Sequence, residues 1–161
     1  MAASSAIADR PSPILPVHAG GFLVGTIDIL YAWGFWYLKA GVGLLRIFQS
    51  IAAGLLGKAS LDGGVPTALL GGVLHYFIAC SMAVTYYLVA RRASTLVRNA
   101  VPCGLAYGAL CYAIMHYVVV PLSRAGAGSR DPLWVGLSIV VHMVGIGLPI
   151  ALATRRALRP A

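Results

Sequence analysis

Four titratable side chains stand inside long apolar stretches of this chain, one in each: Asp28, His75, His116 and His142. Groups of this kind are costly at bilayer depth and usually face a bundle interior or a cavity. Four chemistries are open to them. In the plainest, each histidine donates to a carbonyl or hydroxyl on the next helix and acts as inter-helix glue. In the second, the carboxylate and the imidazoles form a proton- or ion-handling relay, because imidazole exchanges protons near neutral pH. The third is a metal site, since His75, His116 and His142 with a carboxylate suit zinc or ferrous iron; no helix carries an i, i+3 or i, i+4 ligand pair in its favour. The fourth is a b-type haem held by two histidines at facing positions. Nothing else in the chain favours haem.

The elements that must position these groups follow from composition. Of 161 residues, 60% are hydrophobic and 10% charged, and the mean hydropathy is +0.86. Soluble domains carry about a quarter charged residues. The balance excludes a soluble enzyme, a disordered tail and a nucleic-acid module, and it describes an integral membrane protein with the lipid bilayer as its first partner. A spanning helix needs roughly 20 apolar residues, and four segments qualify: 17–38, 66–90, 101–120 and 133–153. Pro66, Pro102 and Pro132 stand at or just before helix starts, where a missing N–H costs little. Pro149 should kink the last span.

Counting about 1.5 Å per residue from the outer edge puts Asp28, His75 and His142 about 14–15 Å deep and His116 about 6 Å deep. Their helix faces agree as well. Gly71, His75, Ala79 and Ala83 form one row, and Gly104, Gly108, Tyr112 and His116 another. Gly21, Gly25, Asp28 and Ala32 share a face, as do Ser138, His142, Gly145 and Pro149. Small residues mark the close-packed sides of membrane helices, so all four titratable groups should point at neighbouring helices and away from lipid.

The formal charge of +8 would suggest nucleic acid on a soluble protein. Here the basic residues flank apolar blocks and set topology, and no stretch interleaves basic and aromatic residues as a single-strand groove would. Arg10, Arg91, Arg92, Arg98, Arg155, Arg156 and Arg159 lie on one side, against Lys39, Arg46, Lys58, Arg124 and Arg130 on the other. Trp33, Trp36 and Trp134 mark the less basic edge as an interfacial belt. Residues 1–16 and 154–161 are therefore expected as cytoplasmic tails. The first 16 residues, with Asp9, Arg10 and three prolines, do not read as a cleavable signal.

The first loop holds Leu44, Ile47, Phe48, Ile51 and Leu55 at helical spacing, with Arg46, Gln49 and Ser50 off that stripe. The segment 42–57 reads as an amphipathic helix lying at the outer surface or folded back on the bundle, with Gln49 exposed. The third loop, 122–132, is rich in Gly, Ser and Arg. His18 reads as interfacial. Cys80, Cys103 and Cys111 lack CxxC spacing and read as small buried hydrophobes. No Ser–His–Asp order or phosphate loop names a substrate.

The third span carries G-x3-G-x7-H-x4-P at Gly104, Gly108, His116 and Pro121. This pattern resembles one in the YagU-like family of small bacterial inner-membrane proteins. The same likeness is found in His75 on the preceding span and His142 early in the last, so that it covers spans two to four. It implies an inner-membrane location and a role for the three histidines, and no substrate.

The expected fold is an all-α membrane protein: four transmembrane helices in an antiparallel bundle plus an amphipathic helix in the first outer loop. The leading expectation for function is a site of Asp28, His75, His116 and His142, open to the outer side, that moves or senses protons or a small ion. The rival is a structural or accessory subunit of a larger membrane complex, or a homo-oligomer, whose small-residue faces serve as contacts. A metallo-enzyme or haem protein is the third.

Overall fold

The computed structural model describes residues 14–158, and among these there is no strand. Asp9, Arg10 and Arg159 of the expected tails lie outside the described residues. The chain runs α1 (Ile14–Ala40), α2 (Leu44–Leu56), a 3₁₀ segment (Gly57–Asp62), α3 (Gly64–Ala90), a short α4 (Ser94–Arg98), α5 (Ala100–Leu122) and α6 (Pro132–Leu158). Five helical stretches are long and apolar enough to cross a membrane: α1, α3, α5, α6 and the segment Leu44–Asp62. The first four contain the four expected spans.

The fifth stretch is not a straight rod. Gly57 takes φ +69°, a left-handed conformation that ends α2. The 3₁₀ segment then folds back, and Ser60 Oγ donates to the Gln49 carbonyl at 2.9 Å. Along a continuous helix those residues would stand about 16 Å apart. The expected amphipathic helix is present, but its inward face differs from the expected stripe. Ile47, Gln49, Ala52 and Ala53 are buried, whereas Leu44 and Leu55 are exposed. Gln49 is 3% exposed, not solvated as expected. Its amide donates to the Gly64 carbonyl at 3.1 Å, which ties α2 to the start of α3 and satisfies the buried group. The alanines supply the close approach; the leucines are left to the outside.

Glycines set the helix contacts. Gly21 and Gly25 of α1 lie against Cys80, Ala79 and Tyr76 of α3. A Cβ on Gly71 of α3 would run into the Phe48 backbone of α2. Gly104 of α5 meets Ala151 Cβ and the Gly147–Leu148 backbone of α6, and Gly108 meets the His142–Met143 backbone directly. This is the small-residue packing by which membrane helices associate. Around this frame Val24, Ile150 and Ala151 are fully buried. Long apolar side chains such as Leu23, Leu30, Phe77, Leu110 and Val140 are exposed on the outward faces.

Two helices widen locally. Met115–Val119 in α5 and His142–Gly147 in α6 are π-helical turns. Each precedes a proline, Pro121 and Pro149. Proline lacks the N–H for an i→i−4 bond, and its ring crowds that carbonyl; the turn before it opens to relieve the clash. The distortion expected at Pro149 is thus placed one turn earlier. His116 and His142 both stand on these widened turns.

Candidate functional site

The site forms where α1, α5 and α6 meet. Asp28 on α1 faces His142 on α6, with Oδ1 4.0 Å from Nδ1. Their side chains are 26% and 13% exposed, so the pair is sheltered without being sealed. His142 Nδ1 also lies 2.9 Å from the Ser138 carbonyl. A carbonyl only accepts, so Nδ1 carries the proton and the neutral ring keeps Nε2 as its acceptor. The imidazole is thereby fixed between a main-chain acceptor and the carboxylate.

Tyr112 of α5 joins both α5 and α6 histidines. Its ring stacks on His116 with centroids 5.2 Å apart and meets His142 edge-on at 5.3 Å. Tyr112 is 5% exposed, and its buried hydroxyl has no protein hydrogen-bond partner. Buried hydroxyls are rarely left so, and a water or small polar solute is what would satisfy this one. One turn before His142, Ser138 Oγ lies 3.0 Å from Tyr31 Oη and shares a hydrogen bond with it. Above them Tyr31 stacks on Trp134, with Phe35 and Trp36 packed around the same indole. Lys39 closes this end by pairing with Asp131. Asp131 in turn caps α6, accepting from the Leu133 and Trp134 amides at 2.9 and 3.0 Å.

His75 reaches across to α1. Its Nε2 donates to the Gly25 carbonyl at 2.7 Å, joining α3 to α1. It serves as the inter-helix glue of the plainest reading, because Gly25 brings the α1 backbone within reach. The expected meeting of His75, His116 and His142 on one metal is therefore corrected. Among the described residues, no three His, Cys, Asp or Glu side chains are gathered to hold an ion. Nor do His116 and His142 face each other across an open slot as haem ligands would, since Tyr112 contacts both. Asp28 and His142 face each other, His116 is linked to His142 through the Tyr112 ring, and His75 is bonded to the α1 backbone at Gly25.

Tyr31, Tyr112 and Ser138 complete the cluster, and their chemistry was not read from the sequence. The signal was spacing. Tyr112 is four residues before His116, Ser138 four before His142 and Tyr31 three after Asp28, the intervals that stack side chains on one helix face.

No family model, curated protein or solved structure matches this chain.

Proposed function

We propose that the chain is a multi-pass protein of the bacterial inner membrane in which Asp28 and His142 handle protons or a small ion. In this reading α1, α3, α5 and α6 span the bilayer. The hairpin of α2 and the 3₁₀ segment packs on the outer half, and both termini are cytoplasmic. Exposed apolar side chains on the long helices support the lipid-facing surface. The tryptophans at the Lys39–Asp131 end support an interface there. The likeness to the YagU-like family remains a proposal of the same kind. Its Gly104 and Gly108 fall on the α5–α6 seam, His116 on the π-turn beside Tyr112, and Pro121 just after that turn.

The observation that carries the reading is the facing of Asp28 and His142 across two long apolar helices. A carboxylate 4.0 Å from an imidazole nitrogen can exchange a proton with it through one water, or after the ring turns from the Ser138 carbonyl and the pair closes by about 1 Å. Tyr31, Ser138 and Tyr112 extend the polar groups beyond the pair. The test is proton flux into pyranine-loaded proteoliposomes under a potassium diffusion potential. Wild-type protein is expected to carry a flux that Asp28→Asn and His142→Gln each lower on the order of 100-fold. Arg124→Gln, an exposed change remote from the pair, should leave it intact. A wild-type rate equal to that of protein-free vesicles, with proton and sodium gradients alike, refutes the reading.

A further inference from the structure

At the opposite end from Lys39 and Asp131, the turn after α3, the short α4 and the end of α6 enclose a cleft of about 510 Å³. Arg91, Arg92, Arg98 and Ser94 supply its polar lining, and Val97 and Leu158 its apolar lining. We propose that this cleft binds a phosphoryl group, presented by the headgroup of an anionic phospholipid. The lipid source rests on the membrane reading above; the phosphoryl chemistry does not.

Charge is the first argument. The chain has four acidic residues and no glutamate. Among the described residues, Asp28 lies mid-way along α1, Asp62 ends the 3₁₀ segment and Asp131 caps α6, so no carboxylate lines the cleft. The described ion pairs, Lys39–Asp131 and His142–Asp28, leave all three arginines without an acidic partner. Three arginines lining one hollow give it a positive potential that favours an anion there. The planar guanidinium fork matches phosphate oxygens in pairs, which an ammonium cannot do.

The second argument is construction. Tyr86 donates its hydroxyl to the Leu96 carbonyl at 3.3 Å, pinning α4 to α3. Ala90 and Ala100 on either side of the turn are 3% and 0% exposed. The Arg91 guanidinium lies over the Tyr87 ring, 5.8 Å from its centroid. The arginines are thus mounted on a packed corner, not strung along a loose loop. Val97 and Leu158 add an apolar wall that a free phosphate would leave uncovered, whereas the glycerol and upper acyl carbons of a lipid would cover it. In the proposed orientation this end meets the cytoplasmic leaflet, where anionic headgroups concentrate basic segments.

The test uses the full-length chain in nanodiscs of phosphatidylcholine with a minor fraction of phosphatidylglycerol, and counts retained lipid by native mass spectrometry. Phosphatidylglycerol should be retained selectively, and Arg91→Gln, Arg92→Gln and Arg98→Gln should each reduce that selectivity about fivefold. Arg124→Gln at the other end removes the same charge and should change nothing. Ser94→Trp fills the cleft with the charges kept, and should expel the lipid as well. In a second arm, inorganic phosphate is titrated calorimetrically into protein in neutral detergent. Phosphate binding lost in the same three variants, without phosphatidylglycerol selectivity, would assign the cleft to a free phosphate and overturn the lipid source. Equal losses from Arg124→Gln and the cleft variants, or full retention in Ser94→Trp, would overturn the site itself. These readouts count bound ligand, so they stand or fall separately from proton flux.

Discussion

Gly108→Ala should be among the most damaging single-methyl additions in this protein. A Cβ at that position would meet the His142 carbonyl oxygen, and would stand 2.6 Å from both the His142 carbonyl carbon and Met143 Cα. Ordinary carbon contacts are about 3.5 Å or more, so α5 and α6 must part by about 1 Å. All three obstructing atoms are backbone, and no side chain can rotate away. Overpacking of this kind costs about 3 kcal/mol at the upper end of its range. Replacing glycine by alanine within a helix returns about 1 kcal/mol, for a net loss of about 2 kcal/mol. Gly136→Ala, in the first turns of α6, is the control: a Cβ there meets nothing within 4 Å. It should stabilise by up to about 1 kcal/mol. Unfolding free energies of the two variants, measured by steric trapping in bicelles, should therefore differ by about 3 kcal/mol with opposite signs. Because the obstruction is the His142 backbone, Gly108→Ala should also shift the imidazole resonances of His142. Equal stabilities would refute the backbone-on-backbone seam.

Three further outcomes are expected. His75→Ala should cost about 1 kcal/mol by removing the side-chain hydrogen bond that ties α3 to the Gly25 carbonyl, yet leave proton flux unchanged, whereas His142→Ala should abolish flux; parallel stability and flux measurements separate the two histidines. Asp131→Asn keeps a capping side chain and loses only the pair with half-exposed Lys39, so it should cost well under 1 kcal/mol in the same unfolding assay. Asp131→Ala loses the cap too and should cost about 1 kcal/mol more. Ser60→Ala should loosen the fold-back of the 3₁₀ segment by about 1 kcal/mol, read as faster amide exchange over 57–62 with the long helices unaffected.

The long helices were legible because hydrophobicity and length alone mark them, and because Pro66, Pro102 and Pro132 each fall within three residues of an observed helix start. The faces were legible from small residues: the rows through Gly104–His116 and Gly71–Ala83 do meet neighbouring helices. The inward face of α2 was not. Its apolar stripe suggested burial of Leu44 and Leu55, but the small Ala52 and Ala53 with Ile47 and the hydrogen-bonding Gln49 turn inward and the leucines face outward. Size and a hydrogen-bond partner, more than hydrophobicity, choose the inside of this hairpin. Depth and face grouped His75 with the other titratable residues, but neither names a hydrogen-bond partner, and the one His75 takes is the Gly25 carbonyl. The π-turns were hidden too, because a helical projection assumes one unbroken period, and neither His116 nor His142 lies on such a helix.

Each π-turn is one residue more than an α-helix needs for the same rise, and this has a consequence for the history and redesign of the chain. A single-residue deletion between Met143 and Gly147 would restore regular winding and, because the widened turn absorbs its extra residue, leave the helix beyond it close to its present bearing. Arg155 and Arg156 would then keep their side of α6, while His142 would lose the widened turn on which it stands. The extra residue thus sets the aim of a mid-helix imidazole without turning the basic end some 20 Å away. A deletion in this segment should therefore be better tolerated than one in the regular turns on either side.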